Sequence, residues 1–171
     1  GFVDETTVVA PGINGKMSEI NAAFGLLQLK HVDEALAKRK AIDAAYRKAL
    51  QDVSNIRCLE NAGEQVANYS YFPILVEKDY PLERDDLYQK LKMNGIHSRR
   101  YFYPLISEFP MYRGLSSSSR NNLPIASRVA AQVLCLPIYP DLDIAFVDKT
   151  CSLIASAWKI QHINIINIME F

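Results

Sequence analysis

The sequence predicts an α/β fold in which two long opening helices lead into a small, mostly antiparallel sheet packed against three further helices. Apolar residues recur at helical spacing through 18–30 and again through 31–51. Residues Tyr69 to Val76 read YSYFPILV, a run of aromatic and branched side chains suited to a strand. Three later helical stretches, 82–94, 124–133 and 144–158, are each opened or closed by a capping residue, a glycine or a proline.

In chain order, GFVDETTVVAP at 1–11 is expected to be an extended, weakly anchored arm. Pro11-Gly12 and Asn14-Gly15 then punctuate a turn, and Ser18 caps a helix with Glu19 in its first turn. Met17, Ile20, Phe24 and Leu27 fall on one face, and Ala22, Ala23 and Gly25 permit close backbone approach. That face is expected to be exposed without a partner, which favours self-association. Asn14 and Lys16 stand beside the unpaired N–H groups of the helix start. The combination suits a phosphate, and it equally describes a solvated turn.

The second helix, about 31–51, places Val32, Ala35, Leu36, Ile42, Tyr46, Ala49 and Leu50 on an apolar stripe, with Lys38-Arg39-Lys40 on a solvated face. A short strand is expected near Ile56 to Leu59. In the strand at 69–76, Pro73 lacks a ladder donor and argues for an edge or a bulge. The helix at 82–94 turns Leu87, Tyr88 and Leu91 inward and closes on Gly95, and Ile96 to Arg99 reads as a returning strand.

Arg99-Arg100-Tyr101-Phe102-Tyr103-Pro104 sets two guanidiniums among three aromatic rings. Such a segment can hold phosphates and stack a flat ring, or it can be a strand end whose aromatics fill the core. His97 lies beside it, and His31 and His162 are too scattered for metal-ligand spacing. A short helical turn is expected around Phe109 to Tyr112, followed by a flexible loop over LSSSSRNN. Those serines have no Gly-x-Ser-x-Gly elbow, and no catalytic residue is assigned. Pro124 opens a helix with Ile125, Val129 and Val133 on its stripe, Leu134 to Tyr139 is a buried strand, and Asp143 caps the helix ending at Trp158. The tail IQHINIINIMEF alternates isoleucine with polar residues, as an added edge strand would; an oligomer contact or an altered terminus are the other readings.

Nineteen basic and nineteen acidic residues balance to a net charge of zero in a 171-residue chain that is 49% hydrophobic. That is the composition of one globular domain, without the basic footprint for nucleic acid or an acidic membrane surface. No apolar run is long enough to span a bilayer. Cys58, Cys135 and Cys151 have no CxxC spacing, so free thiols in a reducing, cytoplasmic setting are expected and no metal site is assigned.

GINGKMSEINAAFGLLQL from Gly12, together with Arg39 and Tyr46 of the next helix, resembles the signature of the DegT/DnrJ/StrS family of pyridoxal-phosphate nucleotide-sugar aminotransferases. GIHSRRYFYPLISEFPMYR from Gly95 and LPIASRVAAQVLCLPIYPDL from Leu123 resemble the same family in the same order. The wording of the first block and of RRYFYPL is most similar to the branch that aminates a dTDP-linked keto-deoxysugar at C3.

The resemblance covers about residues 1 to 158 and implies the C-terminal small domain of a fold-type I aminotransferase. Residues 1–30 would be the end of the large domain, 31–158 the small domain and 159–171 an extra tail. It further implies a pyridoxal 5'-phosphate cofactor, a keto-sugar nucleotide substrate destined for cell-surface polysaccharide, and a homodimer or a separate large domain as partner. Asn14 and Lys16 would reach the cofactor phosphate across the dimer interface, with Lys16 standing where arginine is more usual. His97, Arg99, Arg100 and Tyr101 would approach the substrate. The family's cofactor lysine belongs to the large domain, and its motif is not in this sequence, so no cofactor is expected bound to the chain alone and it is expected to be inactive. Two other readings stay open: a non-catalytic domain that only folds and self-associates, and a nucleotide-binding fragment.

Overall fold

The structure is a computed structural model that describes residues 15–60, 67–101, 103–110 and 112–169, with side chains as far as residue 157. The arm at 1–11, Asn14, Phe102 and the side chain of His162 lie outside the described residues. The chain divides into two units, residues 1–34 and 35–171.

The first unit contains α1 (Glu19–Leu29) and the start of α2 (Val32–Leu50). Ser18 caps α1 as its sequence position predicts, its Oγ accepting the Asn21 N–H at 3.3 Å. None of the α1 residues is buried, and Ile20, Phe24 and Leu27 on its apolar face are all exposed.

The second unit holds the rest of α2, then β1 (Ile56–Cys58), β2 (Phe72–Val76), α3 (Arg84–Met93), α4 (Pro124–Gln132), β3 (Val133–Leu136) and α5 (Ile144–Met169). The strands form one antiparallel sheet in the order β1-β2-β3, pairing Ile56 with Val76 and Phe72 with Leu136. Strand alternation sorts the core into two faces. Phe72, Ile74, Val76, Leu134 and Leu136 meet Ile42, Tyr46 and Leu50 of α2, Leu87 and Leu91 of α3, and Val147, Cys151 and Ile154 of α5. Leu75, Val133 and Cys135 face the other way, toward Val129 of α4 and Tyr101.

Pro73 sits in the central strand, not at the edge that its missing N–H suggested. Cys135, opposite it, exchanges both backbone bonds with Arg99, at 2.9 and 2.7 Å, and so points away from β2. Pro73 therefore turns its nitrogen toward the β1 side, where β1 has already ended at Cys58 opposite Ile74. No ladder bond is lost there.

The α3 terminus follows the sequence closely. Gly95 takes φ +77°, its N–H bonds to Lys92 O and the Ile96 N–H bonds to Leu91 O, both at 3.0 Å. This double closure needs a left-handed residue at Gly95, and it turns the buried Ile96 back against the buried Leu91. The expected strand over 96–99 is reduced to the single Arg99–Cys135 bridge.

Three other expectations are corrected. The serine tract is not a featureless loop: it forms 3-10 turns at Ser116–Ser118 and Arg120–Asn122, held by Ser118 Oγ on Leu115 O and Asn122 Nδ2 on Ser116 O. The turn of helix expected around Phe109 to Tyr112 is present, the N–H groups of Tyr112 and Arg113 both bonding to Phe109 O at 2.9 Å, and a 3-10 turn at Ile106–Glu108 precedes it. Ile125 is exposed and α4 buries Ala130 instead, while Val129 packs against Leu75, Val133 and Cys135 as expected. The tail continues α5 as helix to Met169 in place of the added strand; Ile160, Ile163 and Ile166 also fit a three-residue helical spacing, which competes with the alternation. Asp143 does cap α5, its Oδ1 accepting the Ala145 N–H at 2.9 Å. Among the described residues no helix is long and apolar enough to cross a membrane.

Candidate functional site

The bridge between Arg99 and Cys135 determines where the Arg-rich segment points. With residue 99 fixed to the outer edge of β3, side chains alternate across the chain: Ser98 is buried, while His97 and Arg99 emerge on the opposite side. Together with Tyr71, Tyr101, Tyr139 and Phe146 they line a cleft of about 500 Å³ whose floor is the Cys135–Ile138 strand end.

Inside this cleft Arg99 Nη1 donates to Tyr101 Oη at 2.7 Å, and its guanidinium lies 5.5 Å from the Tyr101 ring centroid. Tyr71 meets Tyr101 edge-on, with centroids 5.6 Å apart and planes at 89°. The two tyrosines also separate the cleft from an apolar groove of about 390 Å³ lined by Leu59, Pro73, Leu105 and Val129. Burial pushes the Cys135 thiol up from its ordinary value, with a bond to the Tyr101 backbone as a smaller opposing effect, so Cys135 lines the cleft as a neutral thiol.

Arg100, predicted alongside Arg99, is not in the cleft. It bonds to Asp85 Oδ1 at 3.0 Å and lies over the Tyr88 ring at 4.7 Å. The two arginines of one dipeptide are thus separated by strand alternation. Conversely, sequence reasoning missed Tyr71, Tyr139 and Phe146. The alternation of Tyr71, Pro73 and Leu75 carried a signal for the first, whereas the other two are brought in by long-range folding.

Lys16 belongs to the first unit, is exposed, and has no ion-pair partner among the described residues. An ammonium beside the unpaired N–H groups at the start of α1 has the chemistry for a phosphate dianion. The described residues contain no group of three or more His, Cys, Asp or Glu able to hold a metal ion. The three cysteines are free, as expected.

The chain is similar to known proteins along most of its length. It is 56% identical over 154 residues to a dTDP-4-amino-4,6-dideoxy-D-glucose transaminase of Escherichia coli, covering 90% of this chain and 42% of that protein. A protein of the same name from Shigella dysenteriae is 45% identical over 90% of this chain and 41% of its own length. The chain thus spans about two fifths of the length of these relatives. Their names place an amino group at position 4 of the sugar, whereas the sequence wording suggested position 3.

Among solved structures, DesI in the presence of its TDP-sugar product superposes with a TM-score of 0.79 at 28% identity, over 91% of this chain and 40% of that one. DesV of S. venezuelae, in complex with a ketimine intermediate, gives 0.76 at 25% identity, over 90% of this chain and 40% of that one. The α/β architecture is the one these enzymes share. Residues 2–155 match the DegT/DnrJ/EryC1/StrS aminotransferase family, a pyridoxal-phosphate-dependent family, and the chain belongs to it.

Proposed function

We propose that these residues form the small-domain part of an aminotransferase that places an amino group on C4 of a nucleotide-linked 4-keto-6-deoxyhexose, supplying amino sugars for cell-surface polysaccharide. The observation that carries this reading is the 56% identity over 154 residues to a relative named for that sugar. The enzyme works as a dimer in the cytoplasm, a setting in keeping with three free thiols.

Pyridoxal phosphate, when bound, supplies the means of storing an amino group between an amino-acid donor and the keto-sugar. The residues of this chain bind and orient. Lys16, with Asn14 beside it in sequence, holds the cofactor phosphate of the neighbouring subunit. A lysine there keeps the charge of the usual arginine but not its planar fork. Arg99 pairs with the substrate diphosphate, His97 lines the same wall, and Tyr71 and Tyr101 offer faces to a flat ring. Arg100 is reassigned from substrate contact to the support of that wall.

The covalent anchor of the cofactor comes from the large domain, so the 171 residues alone do not transfer an amino group. The chain should be incubated with dTDP-4-keto-6-deoxy-D-glucose, L-glutamate and cofactor, alone and co-expressed with the part of the E. coli relative that it does not cover. The amino sugar, with nitrogen at C4 by NMR, is expected only from the co-expressed pair. Product from the chain alone, or nitrogen at C3, overturns the reading.

A further inference from the structure

We propose that the apolar groove beside the cleft receives the thymine base, and that its Leu105, Ala126 and Val129 read the C5 methyl by which dTDP differs from a uracil nucleotide. The proposal rests on the reading of the cleft as the nucleotide site and goes beyond it in assigning the base.

Cleft and groove share one wall. Tyr71, Tyr101 and Cys135 line both, and the edge-on contact of Tyr71 with Tyr101 forms the partition. Tyr71 is 52% exposed, so the partition ends at the surface and a ligand can lie across it. The two sides differ in chemistry. On the cleft side Arg99 stands one ring away, donating to Tyr101 Oη at 2.7 Å, and offers its guanidinium to an anion. On the groove side, apart from the two tyrosines and Cys135, every lining side chain is aliphatic.

A ligand that bridges the two needs an anion at one end and a flat group with an apolar edge at the other. Thymidine diphosphate has that form, with a single deoxyribose between phosphate and base. Val133 and Cys135 are buried at the floor of the groove, whereas Leu59, Leu105, Ala126 and Val129 are only half-buried and lose further apolar surface to water when a base covers them. Aliphatic walls cannot pair with the carbonyls and N–H of a pyrimidine, so the base enters methyl first and leaves its polar edge in water. Thymine and uracil carry the same polar groups and differ only at C5, and an apolar contact is what tells them apart.

The test titrates the full chain with dTDP, dUDP and inorganic pyrophosphate by calorimetry. Wild type is expected to bind dTDP about tenfold tighter than dUDP, the lower end of what one methyl decides in an apolar pocket. Ala126→Trp fills the groove and should weaken dTDP by about tenfold or more, which erases that preference, while pyrophosphate, having no base, binds as before. Ile125→Trp adds the same bulk at the next position, which is 68% exposed and outside the groove, and should change nothing. Equal affinity of wild type for dTDP and dUDP, or dTDP binding indifferent to Ala126→Trp, overturns the proposal; pyrophosphate binding that still depends on Arg99 then leaves the reading of the cleft standing. If wild type binds neither dTDP nor pyrophosphate, both fall. Should Ala126→Trp not fold, wild type decides by NMR: cross-peaks from the thymine methyl to the methyls of Leu105 and Val129 are expected, and their absence is equally contrary.

Discussion

The phenol of Tyr46, in the middle of α2, donates a 3.0 Å hydrogen bond to the carbonyl of Pro137, 91 residues away, at the strand end that floors the cleft. Tyr46 is fully buried and stacks on Phe72 with ring centroids 4.7 Å apart. One side chain therefore joins the helix, the central strand and the cleft floor.

Tyr46→Phe keeps the stack and removes only the hydroxyl, leaving the Pro137 carbonyl without that donor. Urea unfolding is expected to show a loss of about 1 kcal/mol, the usual net worth of such a bond. No loss would mean that water replaces the hydroxyl and that the tie is dispensable.

At Gly95, an added Cβ would meet nothing within 4 Å, yet φ is +77°. Gly95→Ala therefore costs backbone strain alone, about 1–2 kcal/mol, and Gly95→Asn less, because asparagine tolerates the left-handed region. Thermal melts of the two variants check the order.

Leu134 is fully buried between the sheet and the helices, whereas Ile125 is 68% exposed. Leu134→Ala should destabilise by about 2–5 kcal/mol and Ile125→Ala by less than about 0.5 kcal/mol. Equal effects in denaturant titrations would contradict the packing described for α4.

Burial pushes the Cys151 thiol up to about 12 and holds the Tyr46 and Tyr80 phenols well above 10.0, their ordinary value. Above the ordinary thiol value of 9.0 the unfolded chain gives up protons that the folded chain retains. The unfolded state then binds fewer protons, so stability falls as pH rises, by up to about 1.4 kcal/mol per pH unit for each such group. Melting temperatures measured from neutral to alkaline pH should decline progressively above this value. Cys151→Ala should decline less steeply, because the raised thiols of Cys58 and Cys135 remain.

Capping, turn and periodicity signals made much of this fold legible, because each is local: Ser18, Gly95, Pro124 and Asp143 act within one helical turn of their own positions. Pro73 was misread because its tolerance depends on where a different strand stops. The tail was misread because its isoleucines satisfy two periods at once. Within the site, the sequence pointed to His97, Arg99 and Tyr101, which the cleft brings together, but it could not tell Arg99 from Arg100. That distinction needs the backbone bridge from Arg99 to Cys135, far along the chain and close only after folding. Asn14 and the 1–11 arm lie outside the described residues.

In the proposed function Arg99 is the anion-holding group of the cleft, and calorimetry with dTDP addresses that role most directly. Arg99→Ala should weaken binding by about tenfold or more, as loss of a charged hydrogen bond does. Arg57→Ala removes an equal charge from an exposed pair with Glu77 on β1 and should leave binding unchanged. Equal affinity of wild type and Arg99→Ala, or an equal loss in both variants, would contradict it.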